Sequence, residues 1–427
     1  MNPRWTACRC AAAATVLSGL LSGCGGPLDP KTDDPGTLVV HSSFSPGTPG
    51  ADVYAASIRE FERENPGTEV KNLYNQGELF NVFETARLAD KEADVVLVNL
   101  YDKSFSWTGL GATLPVNEYL KEWNLTERVR PSALKAWTDR EGRVRGFPWS
   151  GFSWPVLFNT DLLAKAGVDE VPRTLPELRE AVEALRAEGI TPMAIGGNDW
   201  SGQKLLMQIM QGYMEPRVAR RVFAKAGYCA EPQAMRGLRL FTELRDTGLF
   251  GKGAQGFTAD EMNAEYFGER AAMMSALTST IASVPEKVAE HTEAGGLPMP
   301  ADGQYGKPSV YTGDTSTGIW ITPNGREKID KVEKFVKFFY RKKSVQHFVD
   351  DSGFKLGLRD QKGSAGFPLV TESNEVSEGD DVARVVMPDS HVPAAASAPL
   401  NRATSIAFSP GASPQRICRA LDVAYKS

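Results

Sequence analysis

GFPWSGFSWPVLFNTDLLAKAG, residues 146–167, is the stretch on which the reading of this chain turns. Phe147, Trp149, Phe152 and Trp154 are interleaved with Pro148 and Pro155. Each proline fixes φ and removes an amide donor, so the backbone here is extended or turning rather than helical. Val156, Leu157 and Phe158 read as a short buried strand. Asn159-Thr160-Asp161 then opens a helix that Gly167 stops. A second helix starts at Thr174-Leu175-Pro176-Glu177, with capping-box spacing between Thr174 and Glu177 and proline in the first turn. For any single one of the aromatic rings, core filling is as good an account as a ligand surface.

The chain has 427 residues, 41% hydrophobic and 24% charged. That is enough for two lobes with separate cores, because single cores stop growing near roughly 250–300 residues. A net charge of −5 gives no basic footprint for nucleic acid. The five cysteines and four histidines have no zinc-ligand spacing beyond Cys8 and Cys10 in the leader, so neither a metal nor a cofactor is expected. Arg4 and Arg9 precede an apolar run, residues 11–21, that is too short to stay in a bilayer. Leu21-Ser22-Gly23-Cys24 after that run resembles a bacterial lipoprotein signal. The resemblance implies cleavage of residues 1–23, lipid on Cys24, and a body tethered to the cell membrane outside the cytoplasm. Cleavage removes both arginines and shifts the net charge to −7. Residues 24–36, rich in Gly, Pro and Asp, are a flexible tether. With Cys24 used by lipid, Cys229 and Cys418 are left to pair in an oxidising compartment.

Residues 37–43, 68–74 and 94–99 read as strands, separated by amphipathic helices over 51–65 and around Leu79, Val82, Phe83 and Ala86. This βαβαβ order predicts a parallel sheet whose ligand loops gather beyond the carboxyl ends of its strands. Those ends carry Ser43, Phe44, Asn75, Tyr101 and Asp102, although Ser43, Asn75 and Asp102 also suit ordinary turns. Further on, residues 190–195 form a strand, and the loop Gly196-Gly197-Asn198-Asp199-Trp200-Ser201 leads into a methionine-rich helix over 204–213. Asp199 suits a helix N-cap, but an exposed tryptophan beside it favours a binding role. Helices are expected over 231–249, 328–340 and 414–425, and residues 371–415 read as irregular.

Together these segments resemble the extracellular solute-binding proteins of carbohydrate ABC importers, the group that includes the maltose-binding proteins. The resemblance rests on Phe61-Glu62-Arg63-Glu64-Asn65-Pro66-Gly67, Ala93-Asp94-Val95-Val96, residues 109–120, the opening stretch with Phe158-Asn159-Thr160-Asp161-Leu162, and Pro172-Arg173-Thr174-Leu175-Pro176-Glu177-Leu178. It covers residues 37–360 and is weakest in the tail. It implies an α/β, two-lobe fold of the type II periplasmic-binding-protein kind, each lobe a mainly parallel sheet flanked by helices. Residues 146–158 become the first crossing between lobes. The run Phe267-Gly268-Glu269-Arg270-Ala271-Ala272-Met273-Met274 becomes the element that recrosses to the first lobe, and Gly296-Leu297-Pro298-Met299-Pro300 lies near a third crossing. Lobe 1 is then residues 37–147 and 269–325, and lobe 2 residues 148–268 and 326–427. The tryptophan that the family often places after the recrossing is absent from Ser275-Ala276-Leu277-Thr278, which argues against a long malto-oligosaccharide.

The implied function is capture of a sugar or oligosaccharide between the lobes by a monomer, and its delivery to ABC transporter permease subunits. Sugar C–H faces stack on rings while hydroxyls take fixed donors and acceptors. Trp149, Trp154, Asp199 and Trp200 are the expected ligand contacts, with Ser43, Phe44, Asn75, Tyr101 and Asp314 opposite. The chain is read as a binding protein and not an enzyme. The alternatives are a secreted carbohydrate-active enzyme, for which Glu78, Asp102, Asp199 and Asp314 offer carboxylates without a fixed pair, and a lipoprotein that presents its ligand to a sensor.

Overall fold

Residues 37–42, TLVVHS, are buried at every position, as a central parallel strand requires, and form β1 (Thr37–Ser42). A computed structural model describes residues 34–426, apart from 49, 75–77, 101–103 and 360. β1 pairs in parallel with β2 (Glu69–Tyr74) and β3 (Val95–Asn99). Helices Ala51–Glu64 and Leu79–Leu88 make the crossovers, burying Val53, Ile58 and Phe61, and Leu79 and Phe83. The predicted βαβαβ unit is thus present.

The crossing stretch supplies β4 (Phe147–Pro148), β5 (Phe152–Trp154) and β6 (Val156–Asn159). Later come β7 (Thr191–Ala194), β8 (Ala271–Ser275), β9 (Thr292–Gly295), β10 (Ser309–Gly313), β11 (Thr317–Ile321) and β12 (Ala383–Arg384). The first sheet runs β2-β1-β3-β11-β4, the second lobe's mixed sheet β7-β8-β6-β9, and a small sheet between them β12-β10-β5.

Two cores follow. One gathers residues from 38–149 and 319–358, the other from 152–311 and 369–424. This corrects the expected boundaries. The run at 267–274 does not recross, because β8 is buried throughout and sits between β6 and β7 in the second sheet. Residues 269–311 therefore belong to the second lobe, and 319–358 to the first. A Gly-Glu-Arg turn before an apolar strand reads the same in sequence whether the strand stays or crosses.

The chain passes between lobes at Ser150-Gly151, at Asp314-Thr315-Ser316, and after Leu358. Hydrogen bonds knit these passes. The amide of Ser150 donates to Thr317 O at 2.8 Å, Gly151 N to Lys355 O at 2.9 Å, and Gly357 N to Trp149 O at 2.8 Å. A Cβ on Gly151 would lie 2.6 Å from Gly313 O, so glycine is what lets the first two passes lie together.

The tail is corrected too. Residues 371–415 hold most of the helix Pro368–Glu378 and all of Ala394–Phe408, and Pro414–Val423 follows. Ala394–Phe408 packs on Trp200–Met210, and Pro414–Val423 on Pro232–Asp246. Pro414–Val423 lies where the sequence placed a helix, whereas the other two were not expected; Ala394–Phe408 is alanine-rich with Pro399 inside it and carries little hydrophobic periodicity. Cys229 and Cys418 form a disulfide with Cα atoms 5.0 Å apart, as expected. Asp422 accepts from the amides of Gly227 and Tyr228 at 2.8 Å each, fixing the same helix beside the bridge.

Glu378, at the end of a second-lobe helix, pairs with Arg130 of the first lobe at 2.8 Å and with the buried Lys355 at 3.0 Å. Burial pushes its carboxyl up, but Lys355 and Arg130 more than offset this and hold it below the ordinary carboxylate value. A lowered folded pKa means the unfolded chain binds more protons, so this contribution is complete above the unfolded value and is lost as pH falls through the folded one. Urea unfolding followed from pH 6 to pH 3 should show the wild type losing stability more steeply than Glu378→Gln below about pH 4.5, the unfolded value of a glutamate.

Candidate ligand-binding cleft

The first and second passes place side chains from both lobes around one cavity of about 350 Å³. The first lobe contributes Asn99 and Leu100 at the carboxyl end of β3, and Thr315 and Ser316 lie on the pass into β11. The second lobe contributes Phe152 and Trp154 from β5, Trp200, Gln203 and Lys204 from the helix Trp200–Met210, and Leu277. The tail closes the wall with Met387, Asp389, Ser390, Val392, Ser397 and Asn401.

Strand register sets the aromatic side. β5 runs antiparallel to β10, with Trp154 opposite Tyr311 and Phe152 opposite Gly313. Trp154 meets Trp200 edge to face, centroids 5.5 Å apart at 71°. Trp154 is 3% exposed and Trp200 37%. Trp154 differs from an ordinary core indole in one respect: its Nε1 is buried without a hydrogen-bond acceptor. Asn401 Oδ1 is likewise buried without a donor. Lys204 is 5% exposed; its Nζ donates to Gln203 Oε1 at 2.6 Å and pairs with Asp389 Oδ1 at 2.7 Å. The Asp389 side chain is 32% exposed at the cavity wall.

Of the expected contacts, Trp154 and Trp200 line this cavity. Trp149 does not. It is fully buried in the first lobe, edge-on to Phe348 at 4.7 Å, with its Nε1 donating to Phe339 O at 3.4 Å. Phe44 stacks on Tyr54 at 4.9 Å in the same core. Both rings are packing. Asp199 is a helix cap: its Oδ1 accepts from Ser201 N at 2.9 Å and Ser201 Oγ at 2.7 Å, and its Oδ2 accepts from Ala259 N at 2.6 Å. The glycines before it are required by closeness, since a Cβ on Gly196 would lie 2.5 Å from both Ser201 Oγ and the Thr258 carbonyl carbon. Ser43 donates its amide to Leu97 O at 3.1 Å and is outside the cavity lining. Asp314 is also outside it; its carbonyl accepts from Trp137 Nε1 at 2.7 Å, and its neighbours Thr315 and Ser316 take the lining positions. Asn75, Tyr101 and Cys24 lie outside the described residues.

Sequence reasoning missed Phe152, Gln203, Lys204 and the whole tail wall. One signal was present for Gln203 and Lys204. They fall one turn after Trp200, so a helix starting at Trp200 and not at 204 puts all three on one side.

Two lobes joined by three passes, with a cleft between them lined from both, define a two-lobe solute-binding protein. Residues 46–346 match the bacterial extracellular solute-binding proteins, and the chain belongs to that family. A solved structure described as a probable secreted solute-binding lipoprotein from Streptomyces coelicolor is 47% identical with a TM-score of 0.85, covering 93% of this chain and all of that one. A chitin oligosaccharide binding protein shares the fold at 20% identity and TM-score 0.77, covering 91% and 98%. A segment of 87 residues is 30% identical to the sn-glycerol-3-phosphate-binding periplasmic protein UgpB of Rhizobium meliloti (strain 1021), 19% of this chain. The chain thus spans about a fifth of the length of the curated relatives it matches.

Asp199→Ala should cost stability of about 1–2 kcal/mol, the usual worth of an N-cap. Urea unfolding reads that loss; an unchanged midpoint together with weakened ligand binding would return Asp199 to the ligand.

Proposed function

We propose that this protein captures an uncharged sugar or short oligosaccharide in the interlobe cleft and delivers it to the permease subunits of an ABC importer. The observation that carries the reading is the aromatic wall. Phe152, Trp154 and Trp200 stand together at the cavity, backed by amide and hydroxyl groups from both lobes. Rings take up the apolar C–H faces of a sugar, and the polar groups take its hydroxyls. A cavity of about 350 Å³ is at the small end for a ligand site, which suits one or two sugar rings. The only charged side chains in the described lining are Lys204 and Asp389, and they neutralise each other. That favours a neutral ligand over an anion such as sn-glycerol 3-phosphate. The chitin oligosaccharide binding protein with the same fold supports the same class. A glycosidase would need two carboxylates across the cleft, and the described lining offers Asp389 alone.

The body acts as a monomer held at the outer face of the membrane by lipid on Cys24. Leu21-Ser22-Gly23-Cys24 after the apolar leader supports this, together with the relative described as a lipoprotein. Among the described residues no helix is long and apolar enough to cross a membrane.

A thermal-shift panel of glucose, maltose, cellobiose, xylobiose, N,N′-diacetylchitobiose and raffinose should raise the melting temperature with one class of sugar through linkage. Trp200→Ala should weaken the bound sugar by roughly tenfold or more, the loss of one stacked ring, and leave the melting temperature of the free protein unchanged. Affinity that is unaltered by this change places the ligand elsewhere. Membrane fractionation tests the anchor: Cys24→Ala should leave the membrane or remain unprocessed, whereas a wild type secreted free of lipid removes the anchor from the reading.

A further inference from the structure

We infer that the ion pair of Lys204 with Asp389 selects the ligand, restricting the cleft to uncharged molecules that carry neighbouring hydroxyls. The inference rests on the sugar reading and deepens it.

The pair is unusual in its setting. Lys204 comes from the helix Trp200–Met210 and Asp389 from a single turn, Pro388–Ser390, almost two hundred positions along the chain; they meet at 2.7 Å in the wall of the cavity. A lysine that is 5% exposed has lost its hydration, which is tolerable only with a partner of opposite charge. Yet neither group is saturated by the protein. An ammonium has three N–H donors, and Lys204 spends one on Gln203 and one on Asp389. A carboxylate has about four acceptor sites, and the Lys204 ammonium occupies only one of Asp389's. One donor and several acceptors are therefore left side by side.

Two more groups in the same wall extend the pattern. Trp154 Nε1 is a buried donor without an acceptor, and Asn401 Oδ1 a buried acceptor without a donor. Buried polar atoms in folded proteins are normally partnered, and leaving one unmade is costly. Here donors and acceptors are mixed at one cavity. A hydroxyl is the group that both donates and accepts, so a diol placed across Lys204 and Asp389 donates to the carboxylate and accepts from the ammonium. A phosphate or carboxylate group placed there accepts only. It would have to face Asp389 and Asn401 Oδ1 without a proton to offer, in a site whose net charge is zero. A cationic ligand meets the converse obstacle at Lys204 and Trp154 Nε1.

Removing the charge from Asp389 alone should reverse the selection. Asp389→Asn keeps the shape, removes one acceptor, and leaves Lys204 as an uncompensated cation in the wall. Calorimetry should therefore show two changes with the panel sugar that the wild type binds and with glucuronate as the anionic probe. Affinity for the neutral sugar should fall by roughly ten- to a hundredfold, the worth of a hydrogen bond to a charged group. Glucuronate, unbound by the wild type, should bind the variant. Lys204→Gln is the second variant, and it should lose the neutral sugar without gaining glucuronate. A wild type that binds a neutral sugar while Asp389→Asn binds it equally well, or a wild type that binds glucuronate as tightly as the sugar, overturns the selection and leaves the sugar reading standing. A wild type that binds none of the neutral panel overturns the sugar reading and this inference with it.

Discussion

The pairing of β5 with β10 is the constraint on which the rest of the molecule depends. These two short strands lie side by side and run in opposite directions, β5 carrying the chain from the first lobe into the second and β10 carrying it back. Because the side chains of a strand alternate faces, fixing Trp154 opposite Tyr311 and Phe152 opposite Gly313 also fixes which rings reach the cavity. A slip of one residue would turn Ser153 toward the cleft and bury both rings elsewhere. The register is held by more than the ladder. The amide of Ser153 and the Thr278 hydroxyl are bonded at 2.8 Å, and Thr312 Oγ1 donates to Phe152 O at 3.0 Å. Lys355 adds a side-chain bond to Thr312 Oγ1 at 3.0 Å, so the third pass is tied to the first two.

Much of this arrangement was legible in the sequence, and the parts that were not share a physical cause. β1, β2, β3 and their crossover helices could be read because each announces itself locally, by a run of buried residues or by helical spacing. The capping box at Thr174 and Glu177 is formed as its spacing implied, with Glu177 accepting from the amides of Arg173 and Thr174. Trp149 and Trp154 could not be separated in the same way. They lie on either side of Ser150-Gly151, in segments of like composition, and only the direction of the pass sends one into the first core and the other to the cleft. Asp199 illustrates a different limit. The same residue type serves as a cap and as a sugar ligand, and what decides is Ala259, sixty positions away, whose amide occupies the second carboxylate oxygen. The tail wall was invisible for the plainest reason: Ala394–Phe408, which carries Ser397 and Asn401 into it, owes its place to contacts with Trp200–Met210 and Pro414–Val423 and not to its own pattern.

The candidate cleft also contrasts with a core built of similar residues. Around Trp149 the edge-to-face rings of Phe348 and Phe339 leave no polar atom waiting, since its Nε1 has a carbonyl. Around Trp154 the packing is just as aromatic, with Trp200 and Tyr311 both edge-on, but its Nε1 has none. At these two tryptophans the contrast lies in one hydrogen bond, made at Trp149 and missing at Trp154, and not in apolar surface, of which both have plenty.

The Cys229–Cys418 bridge has a consequence for the order in which the molecule is assembled. It closes a loop of 189 positions, and it anchors the helix Pro414–Val423 against which Ala394–Phe408 packs. Ala394–Phe408 in turn carries Ser397 and Asn401 into the cavity wall. A chain made from its amino end can pair the strands of both sheets before any of this wall exists, because the last strand, β12, ends at Arg384. The tail side of the cavity wall thus follows its aromatic side along the chain, and its backing is cross-linked only where cysteines can be oxidised. In a reducing compartment the bridge would be open, and the helix behind this part of the cavity wall would be held by packing and by the Asp422 hydrogen bonds alone.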